Sequence, residues 1–288
     1  MRLTKTLPMK TAVVSTDVCR VDKGFSENRS DLLAVEEPLE IRIGFGQPEN
    51  RAQKKLSVTM RTPGHDFELV LGFLFAEGII TKYNQVESIH YCESVSPDEY
   101  ENVVRVELSA DVDLDFEKLQ RNFYTTSSCG VCGKSSIDSI RVNGGIKLNT
   151  SLSVSSDIVQ HLPDKLSQHQ STFEYTGGLH AVALFDGDGE IKLVREDVGR
   201  HNAFDKIVGA ALIKKMTPLS DSIVLLSGRA SFELVQKAVV ASVPILAAVG
   251  APSSLAVDLA KRFGMTLLGF VRGERFNIYC GEGVLRRT

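Results

Sequence analysis

The chain has 288 residues, of which 43% are hydrophobic and 24% charged, so it can bury a sizeable core as one large domain or two modest ones. Its formal net charge of -3 excludes a bulk attraction to nucleic acid or to an anionic membrane, and no apolar run is long enough for a membrane span or a signal-peptide core. The five cysteines are an odd number, and Cys19, Cys92 and Cys280 stand alone, which argues against a secreted disulfide framework. We therefore expect a cytoplasmic protein that binds neither nucleic acid nor membrane.

The N-terminal part predicts a leader followed by a small domain. Residues 1–30 show no helical or strand periodicity and mix charges with Gly and Ser, which is typical of a mobile leader. Beyond them, alternating apolar and polar residues predict a hairpin, an apolar run predicts a helix that ends before Gly78, and a further alternating run predicts a strand. These elements cover 39–43 with 56–60, 65–76, and 103–108. We expect residues 31–124 to form a small α+β domain.

The segment around Cys129 and Cys132 has the composition of an accessible, reactive loop. Small and hydroxyl-bearing residues surround the two cysteines, glycines allow a tight turn, and nothing bulky shields either sulfur. Lys134 supplies a cation, and Ser135 and Ser136 can cap a short helix whose positive end faces the thiols. Both features favour thiolate over thiol and predict a nucleophilic cysteine. A structural knuckle or half of a zinc site fits an isolated CxxC pattern equally well.

The middle of the chain predicts a hairpin followed by a polar loop. Residues 149–170 fit a surface helix or a long connection. The runs 180–185 and 191–194 predict strands joined by a turn rich in Asp and Gly, and a helix is expected over 203–213. Between hairpin and helix, residues 195–202 place several polar and charged side chains around one glycine. We favour a binding or catalytic role for this loop over a purely salt-bridged one.

The last third of the chain alternates strands with helices. The predicted strands cover 222–226, 244–249 and 265–271, and the predicted helices cover 232–241 and 255–263. This order predicts parallel strands joined by right-handed crossovers. In such sheets ligands bind at the carboxyl ends of the strands, where the backbone amides of the following helices point outward.

Three segments follow these strands, at 227–231, 250–254 and 272–275. Each contains small residues that allow close backbone approach, and Arg229 and Arg272 can hold a phosphate in a fork. Together the segments predict a nucleotide-like site. The alternative is that the serines only cap helices and the arginines are surface charges. Neither a GxGxxG nor a Walker A pattern is present, so ordinary dinucleotide or ATP-hydrolysis chemistry has no support.

Taken together, blocks of sequence from residue 36 onward resemble the formate dehydrogenase accessory sulfurtransferases, the FdhD sulfur-carrier family. The matching blocks occur in order at 36–38, 60–66, 72–80, 128–134, 176–181, 195–203, 227–231 and 251–256. The resemblance implies an α/β fold in which a cytidine-deaminase-like three-layer domain with a mixed or parallel sheet covers 125–288. A smaller α+β domain precedes it.

The resemblance also implies a function. Members of the family accept sulfane sulfur from a cysteine desulfurase and pass it to the molybdenum bis(guanine dinucleotide) cofactor, which then matures formate dehydrogenase. Carried over to this chain, Cys129 is the persulfide carrier, and Cys132 either resolves or shields the persulfide. The family further implies a homodimer, and we expect no catalytic metal of the protein's own. The cofactor-binding candidates are Phe270, Val271, Arg272, Gly273, Glu274 and Arg275 from the family's motif, with Ser227, Gly228, Arg229 and His201 from the strand ends and the polar loop.

Three other functions fit the sequence less well. A zinc deaminase needs His-x-Glu and Pro-Cys-x-x-Cys, whereas Val182 stands two positions after His180 and Ser128 precedes Cys129. A thiol-disulfide oxidoreductase has its CxxC early in a compact βαβ unit, and it would leave the nucleotide-like site unexplained. A zinc-binding scaffold needs a second pair of ligands, which the three isolated cysteines do not offer.

Overall fold

Two sheets organise the protein in a computed structural model, which describes residues 10–112, 114, 148, 151–281, 283 and 285–286. The strands are β1 (Val13–Asp22), β2 (Phe25–Ala34), β3 (Glu37–Phe45), β4 (Ala52–Arg61), β5 (Val86–Tyr91), β6 (Val103–Leu108), β7 (Val154–Ser155), β8 (His180–Phe185), β9 (Ile191–Asp197), β10 (Ile223–Leu226), β11 (Ile245–Ala248), β12 (Thr266–Arg272), β13 (Arg275–Cys280) and β14 (Leu285–Arg286). The helices are α1 (Asp66–Ala76), α2 (Ser156–Ser167), α3 (Ser171–Thr176), α4 (Arg200–Ile213), α5 (Phe232–Val240) and α6 (Ser254–Phe263). None of these helices is long and apolar enough to span a bilayer.

The smaller sheet has the strand order β4-β3-β6-β5. Strands β3 and β4 form the predicted antiparallel hairpin, and β6 pairs parallel with β3. The helix α1 covers the sheet and places Leu69, Val70, Leu71 and Leu74 in its core. An α-helix with apolar residues on all sides needs cover on more than one face, and α4 supplies the second cover. The predicted hairpin, helix and strand are confirmed, whereas β5 was not predicted.

The larger sheet has the strand order β13-β12-β11-β10-β8-β9. Strands β10, β11 and β12 run parallel, as predicted, and β8, β9 and β13 pair antiparallel. Side chains of β8 alternate between two cores: Val182 and Leu184 pack with α4, α5 and α6, whereas Ala181, Ala183 and Phe185 pack with α2. The result is a mixed sheet between two helical layers, so the broad α/β expectation is confirmed.

The prediction that residues 1–30 lack regular structure is wrong for residues 13–30. Strands β1 and β2 form an antiparallel hairpin, and Lys23 and Gly24 at its tip have φ of 50° and 87°. Positive φ at both central residues is the signature of a type I′ hairpin turn. The strands escaped the sequence pattern because the hairpin is exposed on both faces, with Phe25 82% and Val21 66% exposed, so no alternation of buried and exposed residues is required.

The backbones of α1 and α4 touch where glycines face them. A Cβ atom at Gly72 would lie 1.9 Å from the carbonyl oxygen of Asp205, and one at Gly209 would lie 1.8 Å from that of Glu68. Both distances are far inside van der Waals contact, and the obstacle is backbone rather than a movable side chain. Only glycine at these two positions lets the helices approach so closely.

We therefore expect Gly72→Ala to separate α1 from α4 and to lower the free energy of unfolding by about 3 kcal/mol, at the upper end of overpacking effects. Chemical denaturation followed by circular dichroism measures this. Gly178→Ala is the matched control, because its new methyl group would meet nothing closer than 3.6 Å. Equal stability of the two variants would show that the helices can separate freely.

An ion pair also joins the half that contains the smaller sheet and α1 to the half that contains the larger sheet and α4. The Arg195 guanidinium on β9 binds the Glu68 carboxylate on α1 through Nε and through a 2.7 Å contact from its second terminal nitrogen, and Nδ1 of His65 lies 3.2 Å from the same carboxylate. Burial acts to raise the pKa of Glu68, but the hydrogen bonds from Arg195 and His65 outweigh it and lower the pKa to about 2. The ionised carboxylate thus stabilises the contact between the halves.

The sign of the resulting pH dependence follows from the lowered pKa. The contribution of Glu68 to stability is fully present above its ordinary pKa of 4.5 and is lost as the pH falls towards 2. We expect the wild-type protein to be more stable than Glu68→Gln at pH 7, and the difference to shrink between pH 5 and pH 2.5. Denaturation midpoints across this range measure it, with Glu190→Gln in an exposed pair with Lys165 as the control. A difference that is independent of pH would contradict the assignment.

Candidate functional site

The three segments that follow the parallel strands lie side by side. The amide of Gly250 donates to the carbonyl of Gly228 at 2.9 Å, and the amide of Phe270 donates to the carbonyl of Gly250 at 3.1 Å. The amide of Ser253 donates to the carbonyl of Ala230 at 3.0 Å. The predicted gathering is therefore confirmed for 227–231 and 250–254, and the end of β12, which leads into 272–275, lies beside them. We call this carboxyl edge of the sheet, with the turn that follows β12, the strand-end edge.

Small residues bring the backbone of the strand-end edge together. A Cβ atom at Gly250 would lie 3.0 Å from the Gly228 carbonyl and from Cγ of Arg229, and one at Gly228 would lie 3.3 Å from Nδ1 of His180. The Ser227 hydroxyl accepts from the Ala181 amide at 2.9 Å, so this side chain continues the pairing of β10 with β8. Of the predicted pair Ser227 and Gly228, the serine side chain thus has a structural partner and the glycine provides close approach.

The two arginines predicted to bind phosphate both stand on the strand-end edge. The Arg229 side chain passes over Gly250, and within the described residues its guanidinium has no hydrogen bond or ion pair. Arg272 is exposed at the end of β12, with its guanidinium carbon 5.6 Å from the centre of the Phe270 ring. Neither guanidinium is committed to a carboxylate in this part of the chain, so both are available for an anion.

The segment 270–275 forms the end of β12 and its tight turn into β13. Phe270 and Gly273 have positive φ, of 54° and 55°, and the pairing of β12 with β13 shifts between Gly269 and Arg272. The carbonyl of Glu274 accepts from Gln160 on α2 at 2.8 Å. The residues from Arg272 to Arg275 are exposed, consistent with access for a ligand.

Val271 is the exception within this segment. Its side chain is fully buried in the core between the sheet and α2. The prediction of a cofactor contact at this position can therefore apply only to its backbone. Its side chain anchors the turn to the core.

The first turn of α4 brings Arg200 and His201 to the strand-end edge. Nε2 of His201 lies 2.9 Å from Oε2 of Glu233 and 3.3 Å from the hydroxyl of Ser231, the residue that caps α5. Nε of Arg200 is buried and has no hydrogen-bond partner within the described chain. A buried donor without a partner is uncommon in folded proteins and marks a place where a ligand or water completes the bonding.

Two residues beside His201, namely His180 and Glu233, have pKa values that differ from their ordinary ones. Burial lowers the pKa of His180, and the positive charges of Arg200 and His201 lower it further. The pKa of Glu233 is lowered, chiefly by its hydrogen bond with His201. This part of the strand-end edge therefore holds an ionised carboxylate bound to His201 and a His180 ring that favours its neutral form.

Half of the loop 195–202, for which a binding or catalytic role was predicted, is a buried structural network. The Asp197 carboxylate is fully buried and binds Nζ of Lys206 at 2.7 Å, the amide of Gly199 at 2.8 Å and Nδ2 of Asn202 at 3.0 Å. It also accepts from the amide of Thr62 in the N-terminal half. The salt-bridged alternative describes this half of the loop, since a buried carboxylate with four partners has no capacity left for a ligand.

Sequence reasoning missed Glu233, and it named Arg200 only as part of the loop 195–202 and His180 only in weighing a zinc deaminase. An acidic residue in the first turn of a helix is common because it interacts favourably with the helix dipole, so the position of Glu233 carried no special signal. His201 and Glu233 are 32 residues apart in sequence, and only the fold brings them together.

The two cysteines of the predicted reactive loop, Cys129 and Cys132, lie outside the described residues. The other three are free cysteines, with Cys19 exposed on the N-terminal hairpin and Cys92 and Cys280 half-buried. Burial raises the pKa of the Cys280 thiol, which disfavours a nucleophilic thiolate there.

Comparison with known proteins gives consistent relatives along the chain. The model of the FdhD/NarQ family matches residues 34–286. The sulfur carrier protein FdhD of Streptomyces coelicolor is 50% identical over 268 residues, which cover 92% of each chain. The protein of the same name from Saccharolobus solfataricus is 41% identical over 263 residues, which cover 91% of this chain and 94% of that one.

A solved structure has the same fold. The crystal structure of a protein assigned as a formate dehydrogenase accessory protein in Desulfotalea psychrophila superposes with a TM-score of 0.71. The match covers 96% of this chain and all of the other, at 21% sequence identity. At that identity the likeness establishes the fold alone.

Proposed function

Because the chain belongs to the FdhD/NarQ family, we propose that it is a sulfur carrier that serves formate dehydrogenase. The names of the relatives support the sulfur-carrier role, and the assignment of the structural neighbour supports the link to formate dehydrogenase. The resemblance inferred from the sequence blocks is thereby confirmed at the level of the family. The finer steps below are our proposal for how this chain carries sulfur.

We propose that Cys129 accepts sulfur from a cysteine desulfurase. The Cys129 thiolate attacks the outer sulfur of the donor's persulfide, a new sulfur–sulfur bond forms, and the bond to the donor's cysteine breaks as that cysteine leaves as a thiolate. The composition of the loop supports this step, since small residues around Cys129 predict an accessible sulfur and Lys134 follows five positions later in the sequence. Cys132 either resolves or shields the persulfide.

The acceptor in this proposal is the molybdenum bis(guanine dinucleotide) cofactor, bound as substrate at the strand-end edge. Its nucleotide arms carry phosphates, and the edge offers the uncommitted guanidinium groups of Arg229 and Arg272 and the buried, unpartnered Nε of Arg200. That orphan donor is the observation that carries the assignment, because an anion would satisfy it. Gly228 and Gly250 let the backbones of the edge pack closely against their neighbours, with His180 and Arg229 beside them.

The role of the protein's own residues is to bind and to orient. Arg229 and Arg272 hold phosphate oxygens, and Arg200 supplies a donor from the first turn of α4. The exposed turn 272–275 encloses the ligand from one side. In this proposal the loop that carries Cys129 delivers the sulfur, and the molybdenum centre of the bound cofactor would receive it.

Other parts of the proposal rest on the family resemblance. We propose a cytidine-deaminase-like description for the larger domain, which the mixed sheet with helices on both faces supports. A cytoplasmic location and a homodimer belong to the same proposal. The zinc deaminase alternative stays disfavoured, because Val182 stands where the proton-carrying glutamate would be.

We expect Cys129→Ala to abolish sulfur acquisition, because the family resemblance makes Cys129 the persulfide carrier and leaves Cys132 to resolve or shield the persulfide. The wild-type protein is incubated with a cysteine desulfurase and cysteine, and intact mass spectrometry is used to look for one added sulfur atom that a reducing agent removes. Cys19→Ala, which removes an exposed cysteine outside the motif, is the control and should gain sulfur normally. Sulfur gained by the Cys129→Ala variant would refute the assignment.

Removal of the two arginine charges tests the strand-end edge. We expect Arg229→Gln and Arg272→Gln each to weaken the binding of GDP by about tenfold or more, since a charge-assisted hydrogen bond contributes about 1.5–3 kcal/mol. Isothermal titration calorimetry measures the affinities.

Arg262→Gln is the matched control, because Arg262 lies in the last turn of α6, which ends at the opposite edge of the sheet. The control should bind GDP as the wild-type protein does. If the variant that combines Arg229→Gln with Arg272→Gln binds GDP as tightly as the wild-type protein does, nucleotides bind elsewhere.

A further inference from the structure

The contact between His201 and Glu233 joins two helices at the strand-end edge. His201 belongs to the first turn of α4 and Glu233 to the first turn of α5, and Nε2 of the ring lies 2.9 Å from Oε2 of the carboxylate. The Ser231 hydroxyl lies 3.3 Å from the same ring nitrogen. One nitrogen of the His201 ring is therefore held by two neighbours.

The other ring nitrogen is uncommitted. Within the described residues, Nδ1 of His201 has no hydrogen-bond partner, and the side chain remains 28% exposed. A histidine with one nitrogen bound to a carboxylate has its ring orientation and its proton position set by that partner, which leaves the second nitrogen to act on a ligand. This is the arrangement found where a protein presents an imidazole in a fixed pose.

We propose that Glu233 is a positioning residue that holds the His201 ring so that Nδ1 serves a guanine nucleotide bound at the strand-end edge. The proposal rests on the proposed function, because it deepens the same site. Glu233 itself does not touch the ligand; it acts through His201. The pair also lies near Arg200, whose positive charge helps to lower the pKa of Glu233.

Simple electrostatics makes the opposite prediction for this carboxylate. A negative charge near a phosphate site repels the ligand, so its removal should tighten the binding of an anion. A residue that only interacts with the dipole of α5 would affect stability and leave the nucleotide affinity alone. The positioning role predicts weaker binding when the carboxylate is removed, so the sign of the change separates the three roles.

The decisive experiment is a double-mutant cycle for GDP binding with His201→Ala, Glu233→Ala and the combined variant. We expect Glu233→Ala to weaken binding by about tenfold in the wild-type background and to have no effect in the His201→Ala background. Glu233→Gln keeps an acceptor oxygen for the ring and should lose no more than about threefold. Glu190→Ala, which removes a carboxylate far from the edge, is the control and should leave affinity unchanged.

Two outcomes of the cycle overturn the proposal: tighter or unchanged binding in Glu233→Ala, and an equal loss in both backgrounds. Thermal unfolding of each variant shows whether it is folded. Should Glu233→Ala not fold, Glu233→Leu, which likewise offers the ring no acceptor, decides in both backgrounds by the same comparison.

A measurement without ligand separates this proposal from the proposed function. Nitrogen-15 chemical shifts of the His201 ring report which nitrogen carries the proton, and we expect them to change in Glu233→Ala and to stay close to wild type in Glu190→Ala. Unchanged ring shifts in Glu233→Ala overturn the positioning role, whatever the nucleotide affinity. A wild-type protein that binds no GDP refutes the proposed nucleotide site, and the ring shifts still decide the role of Glu233.

Discussion

The direct contact of the α1 and α4 backbones is the constraint on which the rest of the structure depends. Two glycines, Gly72 and Gly209, allow the helices to meet without intervening side chains. Each helix thereby covers the sheet of its own half and the helix of the other half, and Phe75 of α1 packs against the cores of both halves. The two sheets are held as one body because their covering helices cannot slide apart without losing this contact.

The same contact determines where the functional groups of α4 stand. The buried pair of Asp197 and Lys206 binds both the amide and the carbonyl of Thr62, so the start of α4 is tied to the end of the N-terminal sheet. Buried charges are tolerated only when paired and hydrogen-bonded, and this pair has such partners on both sides. Arg200 and His201 come three and four residues after Asp197. The position of the first turn of α4, which carries them, is therefore set by the N-terminal half as well as by the larger sheet.

Much of the fold could be predicted from sequence, for a physical reason. Buried parallel strands such as β10 and β11 are continuous apolar runs, and their helices have serine caps at Ser231 and Ser253, so both leave a clear local pattern. Half-buried strands such as β3 and β4 alternate apolar with polar residues and were predicted, whereas β5, β13 and the N-terminal hairpin contain no buried residue, leave no such pattern and were missed. The strand-end edge was predictable because its position follows from topology.

Individual contacts at the site could not be predicted in the same way. One partner of Asp197 is the amide of Thr62, 135 residues earlier, and the partner of His201 comes from the next helix. Local sequence carries no information about such pairs, because they depend on how two distant elements meet. Polar loops therefore mix structural and ligand-facing side chains that look alike in sequence.

The position of the turn between β12 and β13 has a consequence for how such proteins diverge. Among the strands of the described residues, β13 is the outermost of its sheet and pairs with β12 alone, and the Val271 side chain at the base of the turn is buried in the core. Residues 272–275 can therefore be exchanged or lengthened with little loss of folding stability, since they bury no core side chains. Substitutions can accumulate in this exposed turn while the scaffold beneath it is inherited unchanged.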